Sequence, residues 1–165
     1  MKKLIFIFLL FANSCTNPFA PKLSENKPIG SILGDQRTVK GLFDNFRYAY
    51  MFKDTLVYGS LLDNNFRFIF RNYENGIDES WGRTEDMITT SRLFLASKSI
   101  DLTWNDVTNS VGDSILMDIS RAFNLTIVFS TSDIVNVFGR VNMRIARKKA
   151  DDNWKIIMWR DESNF

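Results

Sequence analysis

Ile119–Phe129 (ISRAFNLTIVF) and Val135–Ile145 (VNVFGRVNMRI) carry the pattern that decides the fold. In the first, Ile119, Phe123, Leu125, Ile127 and Phe129 alternate with Ser120, Asn124 and Thr126. In the second, Val135, Val137, Val141, Met143 and Ile145 oppose Asn136, Arg140, Asn142 and Arg144. A period of two sends successive side chains to opposite faces, so each segment reads as a half-buried antiparallel strand. Gly139 interrupts the second and predicts a bend or bulge there. Ile100, Leu102 and Trp104 alternate with Asp101, Thr103 and Asn105 as a further strand. Trp154–Arg160 (WKIIMWR), entered through the turn Ala150–Asn153 (ADDN), is apolar on both faces and reads as central or covered on each side.

Upstream of these strands the period lengthens. Between Arg37 and Phe52, Val39, Leu42, Phe43, Phe46, Ala49 and Tyr50 recur at helical spacing, which predicts a one-sided amphipathic helix. Asp54 is placed to cap a short helix in which Val57, Leu61 and Leu62 share a face. Asn64 and Asn65 are expected to break it before Phe66, Phe68 and Phe70 alternate as a strand, and Asn75-Gly76 marks a turn. A third helix is expected over Trp81–Ala96, with Met87, Ile88, Ser91, Phe94 and Leu95 inward and Glu85, Asp86 and Arg92 to the sides or outward. Helices followed by a meander of long strands predict an α+β domain with the helices on one face of the sheet.

The chain begins with Met1-Lys2-Lys3, then nine residues without a polar side chain, Leu4–Ala12 (LIFIFLLFA), then Asn13, Ser14 and the one cysteine, Cys15. A basic start, a short apolar run and small residues are the marks of a secretion signal. The run is about half the ~20 residues a spanning helix requires. Ala12-Asn13-Ser14-Cys15 resembles the lipobox of bacterial lipoproteins, and the resemblance implies cleavage before Cys15 and acylation of its sulfur. Thr16 after the cysteine resembles lipoproteins sent to the outer rather than the inner membrane. All three prolines, Pro18, Pro21 and Pro28, fall soon after. The expected organisation is a signal peptide over 1–14, an acylated cysteine and tether over 15–34 reaching about 25 Å, and one domain over 35–165.

Of the 165 residues, 21 are Lys or Arg and 19 Asp or Glu; losing Lys2 and Lys3 with the signal brings the formal charge near zero. That balance speaks against nucleic-acid binding, which draws on a basic face. The absence of histidine excludes Ser-His-Asp and Cys-His catalysis, and one cysteine excludes thiolate-clustered zinc and intrachain disulfides. No metal set or cofactor motif is expected.

The order of elements from Asp35 to Glu162 resembles the nuclear-transport-factor-2-like (SnoaL-like) superfamily. The residues that carry the likeness are the helix Arg37–Phe52, Lys53–Leu62 (KDTLVYGSLL) running into Asp63–Phe70 (DNNFRFIF), Trp81-Gly82-Arg83 with Glu85, and the final strands ending Trp159-Arg160-Asp161. It implies a curved sheet wrapped over the helices as a cone, a pocket at the open end, and dimerisation through the sheet face. Enzymes and non-catalytic binding proteins share that shell, so function rests on the site.

The inward phases of the late strands hold no carboxylate, and only Arg121 interrupts their apolar run. Asp161, in phase with Ile157 and Trp159, is the acid to locate; with Tyr50 or Arg121 it would make an acid/base site. Tyr50, Trp81, Trp104 and Trp159 suit the wall of a ligand pocket, since large rings supply contact area and a polar tip. The resulting expectation is a membrane-anchored cell-envelope lipoprotein whose domain binds a small apolar ligand or a protein without catalysis. The alternative is a small metal-independent pocket enzyme of the isomerase or hydrolase kind.

Overall fold

The computed structural model describes residues 32–164, so the signal segment, Cys15 and the tether up to residue 31 lie outside the described residues. Gly34, counted above with the tether, is fastened to the body: its N–H donates to Asn45 Oδ1 (2.6 Å) and its carbonyl accepts from Asn45 Nδ2 (3.0 Å). Helix α1 spans Val39–Phe52. It begins where the Thr38 side chain accepts the Gly41 N–H, and ends at Lys53, whose left-handed φ of 56° turns the chain back. Asp54 caps α2 (Thr55–Leu61) by accepting the N–H groups of Leu56 and Val57, as its position implies.

Strand β1 (Leu62–Asn72) starts directly at the end of α2. Asn64 and Asn65 do not separate the two elements; they fall in an irregular stretch of the β1 pairing, between Leu62 and Arg67. The Asn75-Gly76 turn, with Gly76 at φ 71°, leads into β2 (Ile77–Gly82), a short edge strand that the sequence pattern did not reveal. Trp81 therefore belongs to β2, and helix α3 runs from Arg83 to Ala96. Three long strands follow, β3 (Ser99–Gly112), β4 (Leu116–Val128) and β5 (Ile134–Ala146), and then β6 (Lys155–Asn164).

The six strands form one curved, open sheet in the order β2-β1-β6-β5-β4-β3. Four neighbouring pairs are antiparallel, while β1 and β6 run parallel, because the chain reaches β6 only after crossing the whole β3–β5 meander. Across Gly139 the β4–β5 register is unbroken, with Phe123 opposite Gly139. The irregularity lies instead at Arg144/Ile145 opposite β6. It sets Ile156, opposite Ile145, and Trp159, opposite Met143, on the inner face, with Met158 opposite the outward Arg144. The bulge thus accounts for the apolar character of both faces of WKIIMWR, and β6 is central, third in the sheet.

The core lies between the inner sheet face and the helices. Leu42, Phe43, Phe46, Ala49 and Tyr50 of α1 meet Ile100 and Leu102 of β3, Ile119 and Phe123 of β4, and Val141, Met143 and Ile145 of β5, all buried. Burying one such side chain contributes about 1.5–3 kcal/mol, so this stripe dominates the stability of the domain. On the outer face Arg144 holds Asp118 through Nε at 2.7 Å, and the Ser120 hydroxyl donates to Asn142 Oδ1.

Candidate functional site

Between α1 and the sheet the packing leaves a cavity of about 200 Å³. Phe46 and Tyr50 reach it from α1, Phe68 from β1, Leu93 from α3 and Trp104 from β3; Leu125, Val137 and Trp159 come from the facing strands. Among the described residues, Asp161 is the one carboxylate on its wall. It stands opposite Val141, two residues beyond Trp159, at a half-buried position of β6. The rings meet edge to face: Trp159 lies 5.4 Å from Phe46 and 5.0 Å from Phe68, and Trp104 5.5 Å from Phe46, an arrangement aromatic quadrupoles favour. Trp104 is fixed by its indole N–H, which donates to Phe43 O at 3.0 Å. The indole N–H of Trp159 is buried with no acceptor among the described residues.

Four of the expected site residues, Tyr50, Trp104, Trp159 and Asp161, thus share one wall. Trp81 has a different place. Its ring stacks on Phe68 at 4.6 Å, and its indole N–H donates to Asp86 Oδ1 at 3.0 Å. Arg121 is held beside the core, its guanidinium 4.9 Å from the Phe43 ring and its Nε donating to Asn105 O at 2.8 Å. Partial burial pulls its pKa down, and the charges of Asp44 and Asp106 act the other way.

Asp86 is the residue the helical pattern misplaced. It is 4% exposed and faces inward with Thr90 and Phe94, whereas Ile88 and Leu95 point outward, Leu95 at 84% exposure. The stripe of α3 turned inward is 86, 90 and 94, spaced four apart, and two of its three members are polar. The Tyr58 hydroxyl donates to Asp86 Oδ2 at 2.6 Å, alongside the Trp81 bond. Burial raises the Asp86 pKa, and these two donors hold part of that rise back. Tyr58 is pushed well up, first by burial. Tyr50 is also pushed up, chiefly by burial and then by the charge of Asp86, with hydrogen bonding to Tyr58 and Thr90 opposing and the charge of Asp161 adding.

A line of polar groups, Tyr50, Tyr58 and Asp86, therefore runs from the cavity wall to the buried start of α3. With its pKa raised, Tyr50 stays protonated at neutral pH, so its hydroxyl, turned to Tyr58 and Thr90, is no base. Proton abstraction would fall to Asp161, since Asp86 stands behind Tyr58. Among the described residues no group of three or more acids or cysteines is arranged to hold a metal ion.

Comparison with solved structures matches this architecture. A conserved protein from Planctomyces limnophilus superposes with a TM-score of 0.67 at 10% identity, over 76% of this chain and 93% of its own. A candidate dehydratase of the nuclear-transport-factor-2-like family from Streptomyces avermitilis gives 0.60 at 15% identity, over 74% and 91%. The chain has the nuclear-transport-factor-2-like fold. A candidate scytalone dehydratase from Novosphingobium aromaticivorans shares that fold at a TM-score of 0.64 and 8% identity, over 78% and 83%. No family model and no curated protein matches the sequence. The cavity lies on the face of the sheet that packs against the helices, with Asp161 on its wall.

Proposed function

We propose that the protein is a lipid-anchored binding protein of the bacterial cell envelope, and that its cavity takes a ligand the size of one apolar ring without transforming it. The observation that carries this reading is the 200 Å³ space walled by Phe46, Phe68, Trp104 and Trp159. A dry cavity of about 150 Å³ already accepts benzene. The carboxylate of Asp161 supplies the polar group that orients a ligand in such a site, and the ring of Tyr50 adds to its apolar wall. A ring with one hydroxyl is the chemistry that suits it, the hydroxyl donating to Asp161. The signal-like start and Cys15 support the anchor.

Titration with phenol and with toluene, followed by tryptophan fluorescence and thermal shift, tests the cavity. Both should bind, phenol more tightly, and Leu125→Trp, which fills the space, should weaken both at least tenfold while the fold is kept. Unaltered binding in Leu125→Trp would place the ligand elsewhere. For the anchor, Cys15→Ser should release the protein from membranes and remove the acyl mass.

A second reading follows from Asp161 and Tyr50 lining one wall: a metal-independent isomerase- or hydrolase-type enzyme with Asp161 as base. Deuterium wash-in at the acidic carbon of a small cyclic ketone in D2O, lost in Asp161→Asn, would favour it over binding alone.

A further inference from the structure

A second and more open cleft, of about 820 Å³, lies where the end of α2, the start of β1, Arg83 of α3 and the turn before β6 meet. Two cations from separate elements are gathered in it. Arg83 Nη2 donates to Gly59 O at 3.0 Å and Lys155 Nζ donates to Ser60 O, so both heads sit at adjacent carbonyls closing α2. Capping a helix C-terminus explains why a cation stands there. It does not balance two: a helix end presents about half a negative charge at most, and α2 has only seven residues. The Lys155 pKa is pulled down, first by burial, with Arg83 adding to the fall and Asp63 opposing it. Arg83 Nε is buried with no acceptor among the described residues, and no ion pair among them includes Arg83 or Lys155.

The other charged groups of the cleft make hydrogen bonds of their own, and Asp63 is the carboxylate whose charge reaches Lys155. Arg147 donates to Ser114 O and Arg37 O and lies 4.1 Å from the Trp154 ring. Asp63 accepts the Asn65 N–H, and Asp152 accepts the Lys149 N–H. Asp151 and Lys148 stand exposed on the rim. We propose that this cleft binds a phosphate group between the Arg83 guanidinium and the Lys155 ammonium. A phosphate matches the planar guanidinium fork, accepts the ammonium protons still unspent, and brings negative charge to two cations that form no ion pair among the described residues. The same chemistry is offered by a soluble phosphate ester and by a phospholipid headgroup.

The test uses the full-length chain carrying Cys15→Ser, so that no acyl anchor contributes to vesicle binding, without detergent and at about 0.15 M salt, where charges more than about 8 Å apart are largely screened. Inorganic phosphate is titrated by calorimetry and thermal shift, and co-sedimentation is measured with phosphatidylglycerol and with phosphatidylcholine vesicles. Lys155→Gln keeps a donor for Ser60 O but removes the charge; Arg83→Gln is the second variant, and Lys98→Gln, outside the cleft, is the control. Phosphate binding that falls about tenfold or more in Lys155→Gln and holds in Lys98→Gln supports the site with a soluble ligand. Phosphatidylglycerol binding with the same dependence supports it with a headgroup. Absence of both, or either one persisting undiminished in Lys155→Gln, overturns it.

Discussion

Helices α1 and α3 are each fourteen residues long, yet they join the fold by opposite means. Helix α1 buries a stripe of Leu42, Phe43, Phe46, Ala49 and Tyr50 and meets the sheet as one apolar surface. Helix α3 buries Asp86, Thr90 and Phe94 and turns Ile88 and Leu95 to solvent. One is held by area removed from water, the other by a smaller apolar contact through Phe94 together with two hydrogen bonds to one carboxylate. The difference teaches that this fold tolerates a polar hinge between helix and sheet edge provided its donors and acceptors match, and that the cavity wall draws on both kinds of support, since Tyr50 belongs to the first and leads into the second.

The comparison breaks most severely at Phe46, whose ring touches those of Tyr50, Tyr58, Trp104 and Trp159. Phe46→Ala should cost about 3–5 kcal/mol in chemical denaturation, the range for a buried aromatic. A loss below about 1 kcal/mol would mean that α1 is not the principal contributor. Next comes Asp86→Ala, which leaves the Tyr58 hydroxyl and the Trp81 indole N–H without their acceptor. It should cost about 1–3 kcal/mol, with a change in Trp81 emission that Phe46→Ala need not share.

The polar support also carries a pH signature. The pKa of Asp86 is raised in the folded chain, so its favourable contribution is full below the ordinary carboxylate value of 3.8 and is lost as pH rises through the folded value. Unfolding curves of the parent and of Asp86→Asn, taken from pH 3.8 upward, should show the parent losing ground to the variant; parallel curves would mean that Asp86 titrates as if exposed. The smallest effect is expected outside: Ile88→Lys and Leu95→Lys should each shift stability by less than about 0.5 kcal/mol. A large loss at Leu95 would show that α3 buries the face through Met87, Ser91 and Leu95 instead.

Much of the architecture was legible for a physical reason. Period-two alternation in β4 and β5 and the stripe of α1 reflect burial on one side only, and burial is what a hydrophobicity pattern records. Tyr50, Trp104, Trp159 and Asp161 could be grouped because phase on a strand or helix fixes which face a residue shares. The Asp86 network was not legible, because a satisfied buried carboxylate looks in sequence like a solvated one. The available signal was the line Asp86, Thr90, Phe94 at intervals of four, competing with a more apolar line through Met87, Ser91 and Leu95. Strand β2 (IDESWG) was obscured by its position at the sheet edge, where its residues are exposed or half-buried. The inward turn of both Ile156 and Trp159 depended on a bulge whose position no local residue announces.

The most direct test of the central claim, that the space between α1 and the sheet is an apolar ligand site, is a crystal of the protein under xenon pressure. The account expects xenon bound among Phe46, Trp104, Leu125 and Trp159, displaced when phenol is soaked in. Side chains filling that space, or xenon found only elsewhere, would contradict it.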